Sequence, residues 1–525
     1  MIRIKGCGQM ITVRQSYKIL FISINNAWRY GNVGMDQLLG YLRNKKFNID
    51  ILYFNNKFSA ERMLEKINMT YDMYAFSVNS SNYDKCSIIA EYIKKRINKT
   101  VVFGGGYPTR YYREILKNNK NIDYITLGDG EAPSEYLYDK LARRKNGEDV
   151  AIFHESIASS VDYENKKEYF NTIINWQPAY DYYYKDSIED NSRKVHCIQI
   201  KNNVCTGNCS FCTERHGKVI YKSIDDIVSQ IEFVYKTFGV QKIFFTDDNI
   251  LDPNTIAAKE NLKNLCLALK NKKMRLAYQC YFKAFSIEDK PEDHELLKLM
   301  REVGFVEVFV GIEAGNPRDL RLYNKMTSVE QNYEIVRLLR MHDIFPIIGY
   351  IAFNPYSTRK TITENFNYLC DIECTYLHNY LYSFVVVNKY TAMYDMIKKD
   401  GLLLSSEEEY LDVNYKYLNS DIEEVLNYVK NELVPRLRNL NYELDWVTYS
   451  MLEHEVWYDD LKDYRKLLAQ QKKKDAEWIE KYLGILFRDF NVNLFKQVES
   501  EFWAYFVEEE NILKEIYDYY VAQHY

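Results

Sequence analysis

Three cysteines fall within one short run, Cys205-Thr-Gly-Asn-Cys209-Ser-Phe-Cys212, and no other stretch narrows the possible folds of this chain so far. Thiolates hold iron–sulfur clusters, and a four-iron cube ordinarily takes four of them. Three from a single loop fill three corners and leave one iron free, as a catalytic metal site keeps a position open. Short polar spacers, Gly207 among them, let the loop curl until its sulfurs point inward. On spacing alone two other readings stay open: a zinc site completed by His216, or three reduced thiols. Zinc sites usually pair CxxC-type units far apart, and no second pair of that spacing is present.

The remaining composition excludes several classes. A chain of 525 residues is too long for one ordinary domain, so two or three are expected. An apolar share of 47% beside 27% charged residues is that of a soluble globular protein. Ten cysteines, clustered in so long a chain, point to metal chemistry in a reducing cytoplasm and not to a disulfide framework. A net charge of −5 gives no basic footprint for nucleic acid. No apolar run reaches the roughly 20 residues of a membrane helix, and no secretion signal is visible.

Before the cysteine loop, strands and helices alternate. Residues 18–23 (KILFIS), 48–54, 73–78, 100–103 and 123–127 read as strands, with helical spacing over 35–45, 60–67 and 83–97. This order predicts an open parallel sheet, whose ligands bind beyond the carboxyl ends of the strands. Two such ends are rich in glycine: Gly104-Gly105-Gly106, and Gly128-Asp129-Gly130-Glu131. Residues 147–194 carry no clear period and are read as a linker, partly ordered against a neighbour.

Alternation resumes at Val195. Strands are expected at 196–204, 241–246, 275–282, 305–312, 345–353 and 376–387, with helices at 224–238, 254–270, 292–302, 328–342 and 361–373 between them. Six units of this kind make a partial barrel, whose chemistry belongs at the carboxyl ends of its strands. Polar residues gather there: Asp247-Asp248-Asn249, Lys283, Glu313-Ala-Gly315-Asn316 and Asn354-Pro355. From about Asp400 onward helices are expected at 407–417, 422–439, 444–469, 475–490 and 494–520, with residues 471–474 as a solvated turn. Cys370 and Cys374 are read as two buried thiols, and the chain beyond them is cysteine-free.

The cysteine spacing and the aromatic Phe211 resemble the cluster motif of the radical S-adenosylmethionine (radical SAM) superfamily. That resemblance implies a [4Fe-4S] cluster on Cys205, Cys209 and Cys212 as the catalytic metal site, with SAM chelated at the open iron and cleaved to a 5′-deoxyadenosyl radical. It places SAM against Asp247 and Asp248 (amino group), Glu313 and Asn316 (ribose), Phe211 and Gly349 (adenine) and Lys283 (carboxylate). The pairs Asn324-Lys325 and Met326-Thr327, and Asn354-Pro355, resemble the branch that carries a cobalamin-binding domain. There Ser77 and Gly104, Gly105 and Gly106 correspond to the cradle of the cobalamin tail, and Gly128 and Glu131 to a nearby turn. The Asp-x-His-x-x-Gly loop of cobalamin mutases is absent: residues 25–31 read NNAWRYG, and no histidine precedes His154.

The fold expected is therefore α/β. It comprises a Rossmann-like, flavodoxin-like cobalamin-binding-type domain (1–146), a linker (147–194), a partial (β/α)6 TIM-type barrel (195–395) and a C-terminal helical domain (396–525). The resemblance implies a cytoplasmic, cobalamin-dependent methyltransferase using an electron donor such as flavodoxin or ferredoxin. Its substrate would be a small molecule, natural product or peptide. Two alternatives are a cobalamin-independent radical rearrangement, epimerisation or crosslink, and a non-catalytic cobalamin or iron–sulfur sensor.

Overall fold

The first apolar run becomes strand β1 (Lys18–Asn25), and Ile19 to Ile22 are buried on both of its faces. A strand without a wet face suits a parallel sheet covered on each side. In the computed structural model β1 pairs in parallel with β2 (Asn48–Asn55) and β3 (Met73–Ser77). Strands β4 (Thr100–Gly104) and β5 (Tyr124–Thr126) extend the sheet in parallel, and β6 (Ile157–Ser159) closes its edge antiparallel to β5. The order β2-β1-β3-β4-β5-β6 is flavodoxin-like, with its topological switch point between β1 and β3. Strand β6 lies in the stretch without a clear period, so part of that stretch is ordered against the sheet.

The structure describes residues 10–25, 32–55, 58–170, 178–180, 195–202, 204–214, 217–375, 378–406, 412–437 and 462–524. The loop after β1 (26–31), His216, Trp446 and Trp457 lie outside them, as do most of the expected helix 444–469 and the first half of 407–417.

A second, five-stranded sheet has the sequential order β11-β10-β9-β8-β7 expected of a barrel wall. Its strands are β7 (Val195–Ile198), β8 (Lys242–Phe245), β9 (Ala277–Lys283), β10 (Phe305–Glu313) and β11 (Phe345–Tyr350). The sixth strand expected at 376–387 is corrected. Residues His378–Tyr382 form a 3-10 turn, and among the described residues pairing shrinks to one parallel bridge between Phe353 and Phe384. The Tyr380 hydroxyl accepts from the Ile348 amide at 3.0 Å, so a side chain takes a place that a ladder bond would fill.

In the C-terminal region the helix expected at 407–417 is absent over its described half, where Tyr415 bridges Leu403 instead. The turn at 471–474 is also corrected. One helix, Lys462–Phe487, runs through it, and Gln471 is buried with its amide donating to Asp475 one turn on. Three lysines without Gly or Pro continue a helix readily. A second long helix, Val492–His524, follows. By packing, the chain divides into two compact units: Met1–Asn202 with Ile220–Ile243, and Asn203–Val219 with Phe244–Tyr525. Among the described residues, no helix is long and apolar enough to cross a membrane.

Candidate cluster loop and cofactor cradle

The three cysteines sit on a loop tied down at both ends. At its start, the carboxylate of Asp252 accepts from the Thr206 amide at 2.8 Å and from the Thr206 hydroxyl. Asp252 is fully buried and paired with Lys283 Nζ at 2.7 Å, and that ammonium also donates to the Thr206 hydroxyl at 2.9 Å. Burial works against ionisation of Asp252. The hydrogen bonds from Lys283 and Thr206 outweigh it and hold the carboxyl below the usual aspartate range.

At its far end the loop is bonded to the segment after the helix Pro317–Leu322. The Ser210 amide donates to the Tyr323 carbonyl at 2.9 Å, and the Ser210 hydroxyl to the Leu322 carbonyl at 2.8 Å. Asn324 Nδ2 donates to the Asn208 carbonyl at 2.6 Å, and the Met393 amide to the Ser210 carbonyl at 2.7 Å. Phe211 packs edge-on against Tyr323, whose hydroxyl accepts from Asn354. A loop held this way keeps its backbone shape before any metal arrives.

Three cysteines on one loop are the kind of donor set that holds an iron–sulfur cluster, although among the described residues no three metal-ligating side chains converge as they would on a single metal ion. Cys205, Cys209 and Cys212 are all partly exposed, and their charges act on one another. Amides point at two sulfurs, Gly207 N to Cys205 and Glu214 N to Cys212, as they do toward thiolates that carry negative charge. Without metal, burial pushes the Cys212 thiol up to about 11 and raises Cys209 as well. Iron would deprotonate both.

Near the loop the structure brings together Glu313, Lys325 and Gly349. Glu313, at the end of β10, has φ +65°, and the register between β10 and β11 shifts there. Its carboxylate pairs with Lys325 at 3.2 Å. Burial alone would lower the Lys325 ammonium, but Glu313 and the Cys209 and Cys212 sulfurs hold it above the usual lysine range. Gly349 lies beside this pair: a Cβ there would stand 2.9 Å from the Phe309 ring and 3.6 Å from Glu313 Oε1. Asp247 is buried close enough to act on Cys280, whereas Asp248 is half-exposed. Asn316 caps the helix Pro317–Leu322 and is bonded within the fold to Asp319 and Asn365. Cys370 and Cys374 are each approached by an arginine, Arg488 and Arg340.

Sequence reasoning missed Asp252 altogether and noted Lys325 only as part of a resemblance. Asp252 carried no signal, since it sits in a loop with no motif. Asn324 and Lys325 stand together in the sequence, and their polar run after a short helix was the available clue.

In the first unit, the carboxyl edge at the switch point is stitched by two asparagines. Asn82 Nδ2 donates to the Ile24 carbonyl at 2.7 Å and to the Ser77 carbonyl at 3.2 Å. Asn32 Nδ2 donates to the Ser77 hydroxyl at 3.0 Å while its Oδ1 caps the helix Val33–Asn44. The glycines have different reasons. Gly105 has φ +111°, and a Cβ would stand 2.5 Å from the Val78 carbonyl oxygen. A Cβ on Gly104 would meet the Thr126 hydroxyl at 2.8 Å, and one on Gly128 the Tyr169 carbonyl oxygen at 2.2 Å. Gly106 alone of the three-glycine run has nothing within 4 Å, so this edge is open where a bulky cofactor is expected. Glu131 is buried at the start of the helix Glu131–Lys145.

Comparison with known proteins agrees with both halves. The family described as "Radical SAM superfamily" matches residues 200–369, and "B12 binding domain" matches residues 20–137, together more than half the chain. The anaerobic magnesium-protoporphyrin IX monomethyl ester cyclase of Synechocystis sp. is 24% identical over 272 residues, which are 50% of this chain and 51% of that protein. The chain thus spans about half the length of the first curated relatives it matches. The structure of the cobalamin-dependent SAM radical enzyme OxsB with aqua-cobalamin superposes with TM-score 0.65 at 13% identity. It covers 97% of this chain and 81% of that one. The radical SAM methyltransferase TsrM of Kitasatospora setae, with cobalamin and a [4Fe-4S] cluster, gives TM-score 0.56 at 15% identity, covering 74% and 79%. At these identities the superpositions speak for the fold.

Proposed function

The chain belongs to the radical SAM superfamily, in the branch that carries a cobalamin-binding domain, and on that footing we propose that it is a cobalamin-dependent methyltransferase acting on an unactivated carbon. The observation that carries this reading is the joining of two parts in one chain: an open sheet edge in a B12-binding domain, and a three-cysteine loop fixed at both ends. When bound, the cluster and SAM supply a 5′-deoxyadenosyl radical, and cobalamin supplies a carrier for the methyl group.

The chain's own residues bind, orient and shield. Cys205, Cys209 and Cys212 are the cluster ligands in this reading, and Asp252 and Asn324 fix the loop that presents them. Glu313, with Gly349 beside it, Phe211 and Asp248 are the residues proposed to contact SAM. Lys283 is reassigned from the SAM carboxylate to the loop, because its ammonium is already engaged by Asp252 and Thr206. Asn316, bonded to Asp319 and Asn365, and buried Asp247 are proposed to act by fixing the strand ends. Ser77, Gly104–Gly106, Gly128 and Glu131 outline the cobalamin edge, with Gly106 as its open position. The division into residues 1–146, 147–194, 195–395 and 396–525 is kept as a proposed division of labour. A soluble one-electron donor of the flavodoxin or ferredoxin class would serve the cluster in the cytoplasm, and the substrate is a small molecule, natural product or peptide.

A second reading has support in the cyclase relative: a radical ring closure or rearrangement without methyl transfer. One experiment separates the two. Reduced, cobalamin-loaded enzyme supplied with SAM should release both 5′-deoxyadenosine and S-adenosylhomocysteine, since a methyltransferase consumes SAM in two ways. 5′-Deoxyadenosine alone would favour the second reading, and neither product would end both.

A further inference from the structure

Lys325 is a cation with little contact to water, its side chain 11% exposed, and Glu313 at 3.2 Å is its ion-pair partner. Its place relative to the cysteine loop is fixed by hydrogen bonds made by its two preceding residues. Asn324 holds the Asn208 carbonyl and Tyr323 holds the Ser210 amide, so the residues on both sides of Cys209 are fastened to the segment leading into Lys325. Gly311 leaves the space the pair needs: a Cβ there would stand 3.0 Å from Lys325 Nζ and 3.1 Å from Glu313 Oε1.

With a cluster bound, the three cysteines would be thiolates and, with the Glu313 carboxylate, would gather negative charge here. Lys325 is little exposed and its charge acts on Cys209 and Cys212, so solvent and salt screen it less than they would a surface lysine. The charge of Lys283 also acts on Cys209, and its ammonium is committed to Asp252 and the Thr206 hydroxyl.

We propose that Lys325, with its charge partly offset by Glu313, sets the reduction potential of the cluster on Cys205, Cys209 and Cys212. This inference rests on the radical SAM reading and goes beyond it. The step concerned is the transfer of one electron from a soluble low-potential donor, such as a flavodoxin, to the oxidised cluster, with no bond made or broken. The added electron brings one more negative charge to the loop. A neighbouring cation favours the reduced state, and a neighbouring carboxylate disfavours it. Lys325 is thus a positioning residue for charge, acting through the cluster.

Opposite charges make a test of sign possible. Anaerobically reconstituted wild type, Lys325→Met, Lys325→Arg and Glu313→Gln would be titrated by EPR without SAM, each with its iron counted. At the wild-type midpoint, Lys325→Met should lower the reduced-to-oxidised ratio about tenfold, Glu313→Gln should raise it, and Lys325→Arg should stay near wild type. A purely structural role for the pair would weaken iron retention in both variants without moving their potentials in opposite directions. Unmoved potentials, or shifts of the same sign, overturn the proposal. If Lys325→Met holds no iron, Glu313→Gln decides by itself: a ratio that fails to rise contradicts it. A wild type that binds no cluster would instead strike the proposed function, so the two failures are distinct.

Discussion

Lys283 shows how far a single residue can be read without its surroundings. Its place after a barrel strand suggested a partner for a ligand carboxylate, and in this structure its ammonium meets the carboxylate of Asp252, which also holds Thr206 of the cysteine loop. Taking one member from a buried pair costs about 3–5 kcal/mol, because the other charge is left uncompensated. Asp252→Ala should therefore lower the denaturant midpoint of the metal-free protein. It should also reduce the iron taken up on reconstitution, although all three cysteines remain. Full iron uptake in that variant would show that the loop does not need its clasp. The sign of the pH dependence follows from the depressed carboxyl. Its contribution is complete above the ordinary aspartate value of about 3.9 and is lost as pH falls through the lower folded value. Metal-free protein should accordingly lose stability below about pH 4, and Asp252→Asn should lose less, measured by thermal melting. The cysteines stand out from spacing alone, and the structure places them on one loop fastened at both ends. Asp252 was not legible, because a partner 46 residues distant leaves no local pattern.

The strands and helices were legible wherever burial imposes a period. KILFIS has no polar face, and it became an interior strand of the parallel part of the first sheet. The sixth barrel strand failed because an apolar run can satisfy its backbone in more than one way, here with a 3-10 turn and the Tyr380 hydroxyl. The glycine run after β4 divides in the same manner. Gly105 serves the backbone, with a positive φ and no room for a Cβ, so Gly105→Ala should destabilise the first unit by about 1–3 kcal/mol whether or not cobalamin is present. Gly106 faces open space, so Gly106→Trp should fold with a near wild-type denaturation curve and lose cobalamin on gel filtration. Cobalamin retention by Gly106→Trp would remove this edge from the proposed cradle.

For the molecule as a whole, the order of domains could be read because each repeats one supersecondary unit, strand then helix, with ligand-bearing loops at a fixed end. The C-terminal region could not be read to the same depth. Its long helices gave a period, yet the absence of Gly or Pro near residue 471 let one helix run where two were expected. Its aromatic residues carry shape and no nameable chemistry. The account stands on two cofactors held by one chain, and metal analysis tests that most directly. Protein reconstituted anaerobically with iron and sulfide, given hydroxocobalamin and freed of excess, should contain about four iron atoms and about one cobalt per chain. The Cys205→Ala, Cys209→Ala, Cys212→Ala triple variant should lose the iron and keep the cobalt. Iron retained by that variant, or cobalt never retained by the wild type, would contradict the account.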